Sequence, residues 1–373
     1  MRVGLDLLFL VPGETGGREV YARELVPAML ERAPDVELVA FVNRDGGSEL
    51  ARSLGDSVRA VVMPVSTHSR TQWAIGELAL VSAAARRAHV DVLHSMANFA
   101  PASGRTPRVV TIHDLQYLAV PDQLSLPVRK ATAAMMSIAA RGARRIIAVS
   151  AAGAEEIVAG LGVDRARIDV VANGVRPPAT TQDNERMRER HRLDGRTIVL
   201  AVATNLPHKN LGALIDALAL TSAERRPLLV IAGHGTDDGG LRERALGARV
   251  ADDVRLLGGC TTPELESLYA LAGCLVLPTL HEGFGLPVLE AMARSLPVAC
   301  SDIPALREVA GPAALYFDPR SPDQIAARIA ALLSDERLAN RLRELGRARA
   351  KDFSWSAAAD GTLASYRRAL ERA

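Results

Sequence analysis

Short apolar runs alternate with amphipathic segments of helix length along the whole chain. Apolar runs bounded by turn residues are typical of buried strands, and their alternation with helices predicts parallel sheets covered by helices. The runs fall into two sets, so we predict an α/β chain with two doubly wound domains. The predicted strands are 3–10, 36–42, 58–62, 90–93, 109–112 and 146–149 in the first set, and 198–202, 228–231, 254–256, 275–277, 298–300 and 314–317 in the second.

The two sets are separated by Pro177-Pro178 and a polar stretch, which is the composition of a connection between domains. We therefore expect an N-terminal domain at 1–180, a linker at 181–196 and a C-terminal domain at 197–352, followed by a tail at 353–373. A chain of 373 residues is long enough for two domains that each bury a core.

The run that starts at Glu282 and ends at Glu290 is the most informative stretch for chemistry. Gly283 and Gly285 loosen a turn, and Pro287 fits the first position of a helix, where its missing N–H costs nothing. The N-terminus of that helix would face a ligand with free N–H groups, which suits a diphosphate. The two glutamates could instead be a helix cap and a surface group.

Lysine is rare in this chain, so a lysine in a motif-like setting is informative. Only Lys130, Lys209 and Lys351 occur. Lys209 follows the first predicted strand of the second set and opens a helix, where a cation would stabilise phosphate. A solvated lysine at a helix start is the alternative.

The spacing Glu282-x7-Glu290 within EGFGLPVLEAMA resembles the signature of GT4-type retaining glycosyltransferases, the glycosyl transferases group 1. The likeness is strong over 197–320 and patchier before it. It implies the GT-B fold, in which two Rossmann-like doubly wound domains face each other across a cleft. It also implies that the tail forms a helix crossing back to the N-terminal domain.

The resemblance assigns roles to the second set of strands and their loops. Lys209 would contact the phosphates of the leaving group, Glu282 the donor sugar and Glu290 the ribose hydroxyls. Gly285 and Leu286 would lie at the helix start that holds the diphosphate.

In the N-terminal half, the resemblance places His113 against the donor sugar, to which it would donate a hydrogen bond. Gly16 and Gly17 belong to a glycine-rich loop that would close over the donor, and Gly233 to a turn at the nucleotide base. A structural histidine and plain strand-to-helix turns remain the alternatives. The chain departs from the family at Thr204, where many relatives have an arginine.

Net charge and the absence of certain motifs argue against several classes of function and ligand. The formal charge of +2 gives no indication of nucleic-acid binding. No D-x-D triplet occurs, so we expect no metal and no other cofactor besides the nucleotide sugar. The three cysteines, Cys260, Cys274 and Cys300, have no metal-ligand spacing, and we expect free thiols. No signal peptide or apolar membrane span is evident, which leads us to expect a cytoplasmic protein.

A basic segment at 129–145 carries five cations and no acid. Such a helix can contact an anionic membrane or a phosphorylated acceptor, although a packed surface helix is the more common structure. Peripheral membrane contact is therefore not favoured.

The resemblance implies a retaining hexosyltransferase that uses a nucleoside diphosphate sugar, with GDP-mannose as the first choice of donor. UDP-glucose, UDP-N-acetylglucosamine or a dTDP-sugar remain alternatives, and the acceptor could be a sugar, a lipid or a natural product. A nucleotide-sugar epimerase or phosphorylase on the same scaffold is the enzymatic rival, and a two-domain sugar-binding protein is the non-enzymatic one.

Overall fold

The computed structural model describes residues 1–13, 15–55, 57–121, 124–179, 184–193 and 195–371. The chain forms two compact units. The first consists of Met1–Gly174 and Ser354–Ala373, and the second of Val175–Phe353. The segment that we expected to be a linker, 181–196, contains a helix, Asn184–His191, within the second unit.

The first unit is built on one parallel sheet. Within the described residues it has seven strands in the order β3-β2-β1-β4-β5-β6-β7, so the chain winds outward from β1 in both directions. The central strands are apolar on both faces because helices cover both sides. The strands are β1 Arg2–Leu7, β2 Glu37–Val42, β3 Val58–Val62, β4 Val92–Ser95, β5 Arg108–Ile112, β6 Arg145–Ala148 and β7 Ile168–Val170.

Helices connect these strands as crossovers. One of them contains a π-helical turn, Gly76–Leu80, between two α-helical pieces. The helices are α1 Gly17–Arg32, α2 Gly47–Ser53, α3 Arg70–Ile75, α4 Val81–Arg87, α5 Gln116–Ala119, α6 Leu126–Gly142 and α7 Ala151–Leu161.

The second unit is also built on a parallel sheet, with six described strands in the order β10-β9-β8-β11-β12-β13. The strands are β8 Ile198–Val202, β9 Leu228–Ala232, β10 Val254–Leu256, β11 Ala272–Leu277, β12 Val298–Ser301 and β13 Ala314–Phe317. The helices are α8 Asn184–His191, α9 Gly212–Ala219, α10 Gly239–Gly247, α11 Thr262–Leu271, α12 Leu286–Ala293, α13 Pro304–Ala310, α14 Pro322–Ser334 and α15 Glu336–Ala350.

The last helix, α16 Trp355–Leu370, belongs to the first unit, where it packs along α1. Its N-terminus is capped by Ser354, whose hydroxyl accepts a hydrogen bond from the Ala357 N–H at 3.1 Å. Trp355 and Tyr366 are among the side chains that α16 buries in this unit. The predicted α/β class with two doubly wound sheets is confirmed.

Candidate active site

Two loops of the second unit come together because β8 and β11 are parallel neighbours, so that their carboxyl ends meet at one edge of the sheet. The loops are joined by hydrogen bonds. The N–H of Leu280 donates to the carbonyl of His208 at 2.7 Å, and the Thr279 hydroxyl donates to the same carbonyl at 3.1 Å. The Asn210 side chain donates to the carbonyl of Pro278 at 3.1 Å. These bonds fix the loop after β8 against the loop after β11.

Lys209 and Glu282 lie on these two loops and form an ion pair. The Lys209 Nζ donates to Glu282 Oε1 at 2.6 Å, and the two side chains are 19% and 12% exposed. Lys209 ends a short 3-10 turn, and Asn210 then takes a left-handed conformation that redirects the chain toward α9. We expected Lys209 and Glu282 to contact different parts of the substrate, and in the structure the two side chains contact each other directly.

The turn between the two glutamates requires glycine at one position. Gly285 has φ of 102° and caps α12, and a Cβ there would collide with the Leu306 side chain. One detail differs from our expectation: Pro287 is the second residue of the helix rather than the first. Glu290 lies in the second turn of the helix.

Glu290 is held by residues that the sequence analysis did not identify. The Tyr269 hydroxyl donates to Glu290 Oε2 at 2.8 Å, and the Arg294 guanidinium donates to the Glu290 carbonyl at 2.9 Å. Arg294 also lies over the Tyr269 ring at 5.0 Å and pairs with Glu266. Burial raises the pKa of Glu290, while the Tyr269 hydrogen bond opposes that rise.

A signal for part of this cluster is present in the sequence. Glu290 and Arg294 are four residues apart, and Glu266 and Tyr269 are three apart, which places each pair on one helix face. The contact between the two helices cannot be read from that spacing.

Gly233 occupies a turn that no other residue could form easily. Its φ is 144°, and a Cβ would collide with the Ala203 carbonyl in the loop after β8. The N–H of Asn205 donates to the His234 carbonyl at 2.9 Å, which ties the loop after β9 to the loop after β8. Gly233 is thus required by the fold, and its contact with a nucleotide base stays a prediction.

His113 lies in the first unit, directly after β5, and is buried. Its Nε2 is 2.9 Å from the Met96 carbonyl, and because a carbonyl only accepts, Nε2 carries the proton. Burial lowers the pKa of His113 to about 4, so the ring is neutral at pH 7. Nδ1 is then an acceptor. This differs from our expectation that His113 donates to a sugar, because its N–H already donates to Met96.

The glycine-rich loop precedes α1 in the same unit. Gly16 has φ of 62° and is the N-cap of α1, and Gly17 is the first helical residue. The N–H of Gly13 donates to Glu19 at 2.8 Å, which holds the loop against the helix. Glu14, part of the predicted loop, lies outside the described residues.

The basic segment is not one uniform surface. Arg145 forms an ion pair with Asp169, and the Arg144 guanidinium donates to the Ala369 carbonyl at 2.9 Å. These two cations therefore hold elements of the first unit together. Lys130 and Arg141 are exposed on α6.

The described residues hold no group of three or more His, Cys, Asp or Glu side chains arranged to bind a metal ion. Nor does any helix in the described part of the chain have the length and apolar character needed to cross a membrane. Cys260, Cys274 and Cys300 are free thiols.

Two family models match the chain. Residues 183–349 match the family described as Glycosyl transferases group 1, and residues 15–177 match Glycosyltransferase Family 4.

Curated relatives match over part of their length. The chain is 35% identical over 182 residues to O-antigen chain mannosyltransferase B of Escherichia coli, a match that covers 48% of each chain. It is 31% identical over 242 residues to MMP alpha-(1->4)-mannosyltransferase of Mycolicibacterium hassiacum, covering 64% of this chain and 57% of the relative. The match thus spans only 48% and 57% of the length of these relatives.

A solved structure shows the same fold over nearly the whole chain. Alr3699/HepE of Anabaena, crystallised with UDP and glucose, has a TM-score of 0.77 at 19% identity and covers 98% of both chains. The two family models together account for both structural units. The chain therefore belongs to the GT4-type glycosyltransferases, which have the GT-B fold.

Proposed function

We propose that this protein transfers a hexose from a nucleoside diphosphate sugar to an acceptor hydroxyl, with retention of the anomeric configuration. The observation that carries the proposal is the Lys209–Glu282 ion pair at the joined ends of β8 and β11, beside the glycine turn that opens α12. This arrangement offers a cation, a carboxylate and a helix N-terminus, which are the groups needed for a sugar diphosphate.

Lys209 is assigned to the leaving phosphates. An ammonium group has three donor hydrogens, so it can keep Glu282 while it donates to phosphate oxygens. Negative charge grows on the bridging oxygen as the glycosidic bond breaks, and a fixed cation stabilises that charge more in the transition state than in the ground state. The α12 N-terminus, shaped by Gly285, supports the same charge.

Glu282 is assigned to the sugar. Its carboxylate can orient the hexose and stabilise the positive charge that develops on the ring. Retention follows when the acceptor oxygen attacks the face that the phosphate leaves. The bond from the anomeric carbon to the phosphate oxygen breaks, a new bond forms to the acceptor oxygen, and the acceptor proton passes to a phosphate oxygen.

Glu290 and His113 complete the assignment. Glu290 is held in place by Tyr269, and its free acceptor capacity suits the ribose hydroxyls. The neutral His113 would accept a hydrogen bond from a sugar hydroxyl through Nδ1, because its Nε2–H is directed at Met96.

GDP-mannose is our first choice of donor. The names of the Escherichia coli and Mycolicibacterium hassiacum relatives, both mannosyltransferases, support it. UDP-glucose is the next choice, supported by the UDP and glucose in the Anabaena structure. UDP-N-acetylglucosamine and dTDP-sugars follow. We also propose that binding needs no divalent metal.

A panel of GDP, UDP and dTDP tested by thermal shift, with and without EDTA, examines both points, because a ligand that binds the native state raises its melting temperature. We expect the largest shift with GDP and no effect of EDTA. The cognate nucleotide sugar is then incubated with mannosides and glycolipids, and products are identified by mass spectrometry and anomeric NMR. Conversion of the donor without an acceptor-linked product would favour an epimerase or phosphorylase, and an inverted product would contradict retention.

A further inference from the structure

A chain of buried hydrogen bonds links the last helix of the protein to two strands and a helix of the first unit. Tyr366 of α16 lies with its hydroxyl 2.6 Å from His94 Nδ1, and His94 Nε2 is 2.8 Å from the Thr111 hydroxyl. The Thr111 hydroxyl is 3.0 Å from the Tyr21 hydroxyl. His94 and Tyr366 are 272 positions apart in sequence.

One set of proton positions satisfies every member of this chain. Burial lowers the pKa of His94 to about 3, so the ring is neutral and carries one proton. The Tyr366 hydroxyl donates to the Met29 sulfur at 3.6 Å, which leaves its oxygen to accept from His94 Nδ1. His94 Nε2 then accepts from Thr111, and Thr111 accepts from Tyr21. All four groups are buried, so each lost partner would leave a polar atom without water.

The chain of hydrogen bonds ends at Tyr21, whose ring contacts His113. The Tyr21 ring contacts the His113 ring edge to face, with centroids 4.9 Å apart and planes at 89°. On its other side His113 is held by the hydrogen bond from Nε2 to Met96. The orientation of the His113 ring therefore depends on Tyr21, and the position of the Tyr21 hydroxyl depends on the three groups behind it.

We propose that Tyr366 is a positioning residue for His113: it fixes the tautomer of His94 and, through Thr111 and Tyr21, the orientation in which His113 presents Nδ1. Correct docking of α16 is then a condition for an ordered His113. The consequence for catalysis rests on the role of His113 proposed above, whereas the effect on its ring does not.

The structural half is tested on the full-length protein by NMR with 15N-labelled histidine, which reports the protonation of each ring nitrogen. The chain has eight histidines, and single substitutions of His94 and His113 would assign their signals. We expect the Nδ1–H form for His94 and the Nε2–H form for His113. Tyr366→Phe should change the signals of both residues. A change confined to His94 would overturn the proposal.

The variants are chosen to separate positioning from loss of stability. Thr111→Val breaks the same chain at another point and should reproduce the effect on His113, whereas Thr111→Ser keeps the hydroxyl and should restore it. Ser365→Ala removes the neighbouring buried hydroxyl on α16, which lies by Asp169 instead, and should leave His113 unchanged. Urea unfolding of each variant identifies any that is not folded under the assay conditions.

The consequence for catalysis is tested with the donor that the thermal-shift panel identifies. Tyr366→Phe should lower kcat about tenfold, equal to about 1.4 kcal/mol, with KM for the donor nearly unchanged. Equal loss in Tyr366→Phe and Ser365→Ala would mean a general structural effect and would overturn the proposal. If no donor supports transfer in the wild type, the proposed function fails, and the NMR response of His113 still decides the positioning role.

Discussion

Two pairs of residues, Lys209 with Glu282 in the second unit and His94 with His113 in the first, differ in charge. In the second unit the groups of the candidate site are kept as a pair of opposite charges, Lys209 and Glu282. In the first unit burial lowers the pKa of His94 to about 3 and of His113 to about 4, so both rings are neutral at pH 7. Paired charges can be exchanged for the charges of a ligand, whereas neutral groups offer hydrogen bonds of fixed direction. We therefore propose that the second unit stabilises charge during the reaction and that the first orients the sugar.

The largest effect is expected for Glu282→Gln, which removes the carboxylate and leaves Lys209 without its partner. We expect kcat to fall by about 10²–10³, the range for loss of one preorganised electrostatic group. Affinity for the free nucleoside diphosphate should be unchanged or higher, because Glu282 no longer neutralises the Lys209 cation. Steady-state kinetics and calorimetric titration measure the two quantities.

Glu243→Gln is the matched control, since Glu243 is an exposed glutamate of the same unit. It should change neither quantity. A loss of diphosphate affinity in Glu282→Gln, with turnover preserved, would show that the roles of the two glutamates in the motif are reversed.

Glu290→Gln should act on binding instead. Loss of a charged hydrogen-bond acceptor at the ribose should weaken diphosphate affinity by roughly 1.5–3 kcal/mol, with a smaller effect on turnover at saturation. Because burial raises the pKa of Glu290, acidification should lower the affinity of the wild type toward that of the variant at a higher pH than an ordinary carboxyl requires. If Glu290→Gln bound the nucleoside diphosphate as tightly as the wild type at every pH, Glu290 would not be part of the binding site.

The first unit contains a carboxyl pair that sharpens the contrast. Asp6 on β1 and Glu77 in the π-helical turn are 1% and 2% exposed and face each other across a hydrogen bond. Burial is the main cause that raises both pKa values, that of Glu77 well above its ordinary value. The folded state thus holds protons that the unfolded chain has released. Proton binding by the two carboxyls stabilises the folded state fully below about pH 4, the ordinary carboxyl pKa. This stabilisation is lost as the pH rises through the pKa values that the two groups have in the folded state.

Glu77→Gln removes one of the two groups that bind a proton in the folded state. Between pH 6 and 8 we expect the free energy of unfolding to fall less steeply than in the wild type, by about 1.4 kcal/mol per pH unit for one proton at most. Urea unfolding at several pH values measures the slope. Glu31→Gln, at an exposed position of α1, should leave it unchanged. Parallel slopes for Glu77→Gln and the wild type would show that Glu77 is already charged.

The sequence predicted the strands well because nearly all of them are apolar runs buried between helices. The strand it missed, β7, has three residues with Asp169 at the centre. Candidate site residues could be selected from the sequence where they are close together along the chain, as between Glu282 and Glu290. Tyr269 at Glu290, and Tyr366 at His94, were missed because packing of distant elements creates those contacts. Likewise Lys209 and Glu282 are 73 positions apart, and only the pairing of β8 with β11 joins them.

The smallest effect is expected for the exposed cations of α6. Substituting them tests whether the first unit also binds an anionic partner. Arg144 and Arg145 serve internal contacts, so substituting them would disturb the unit itself. Replacing Lys130 and Arg141 by Gln keeps those contacts. At low salt this double variant should bind vesicles of anionic lipid about fivefold to tenfold more weakly, or show a KM for a phosphorylated acceptor that is higher by the same factor. The difference from the wild type should shrink as salt screens the charges. Replacing the exposed pair Arg86 and Arg87 on α4 makes the same change in charge elsewhere on the unit. Equal effects from both pairs would indicate a response to net charge, and no effect from either would make α6 an ordinary solvated helix.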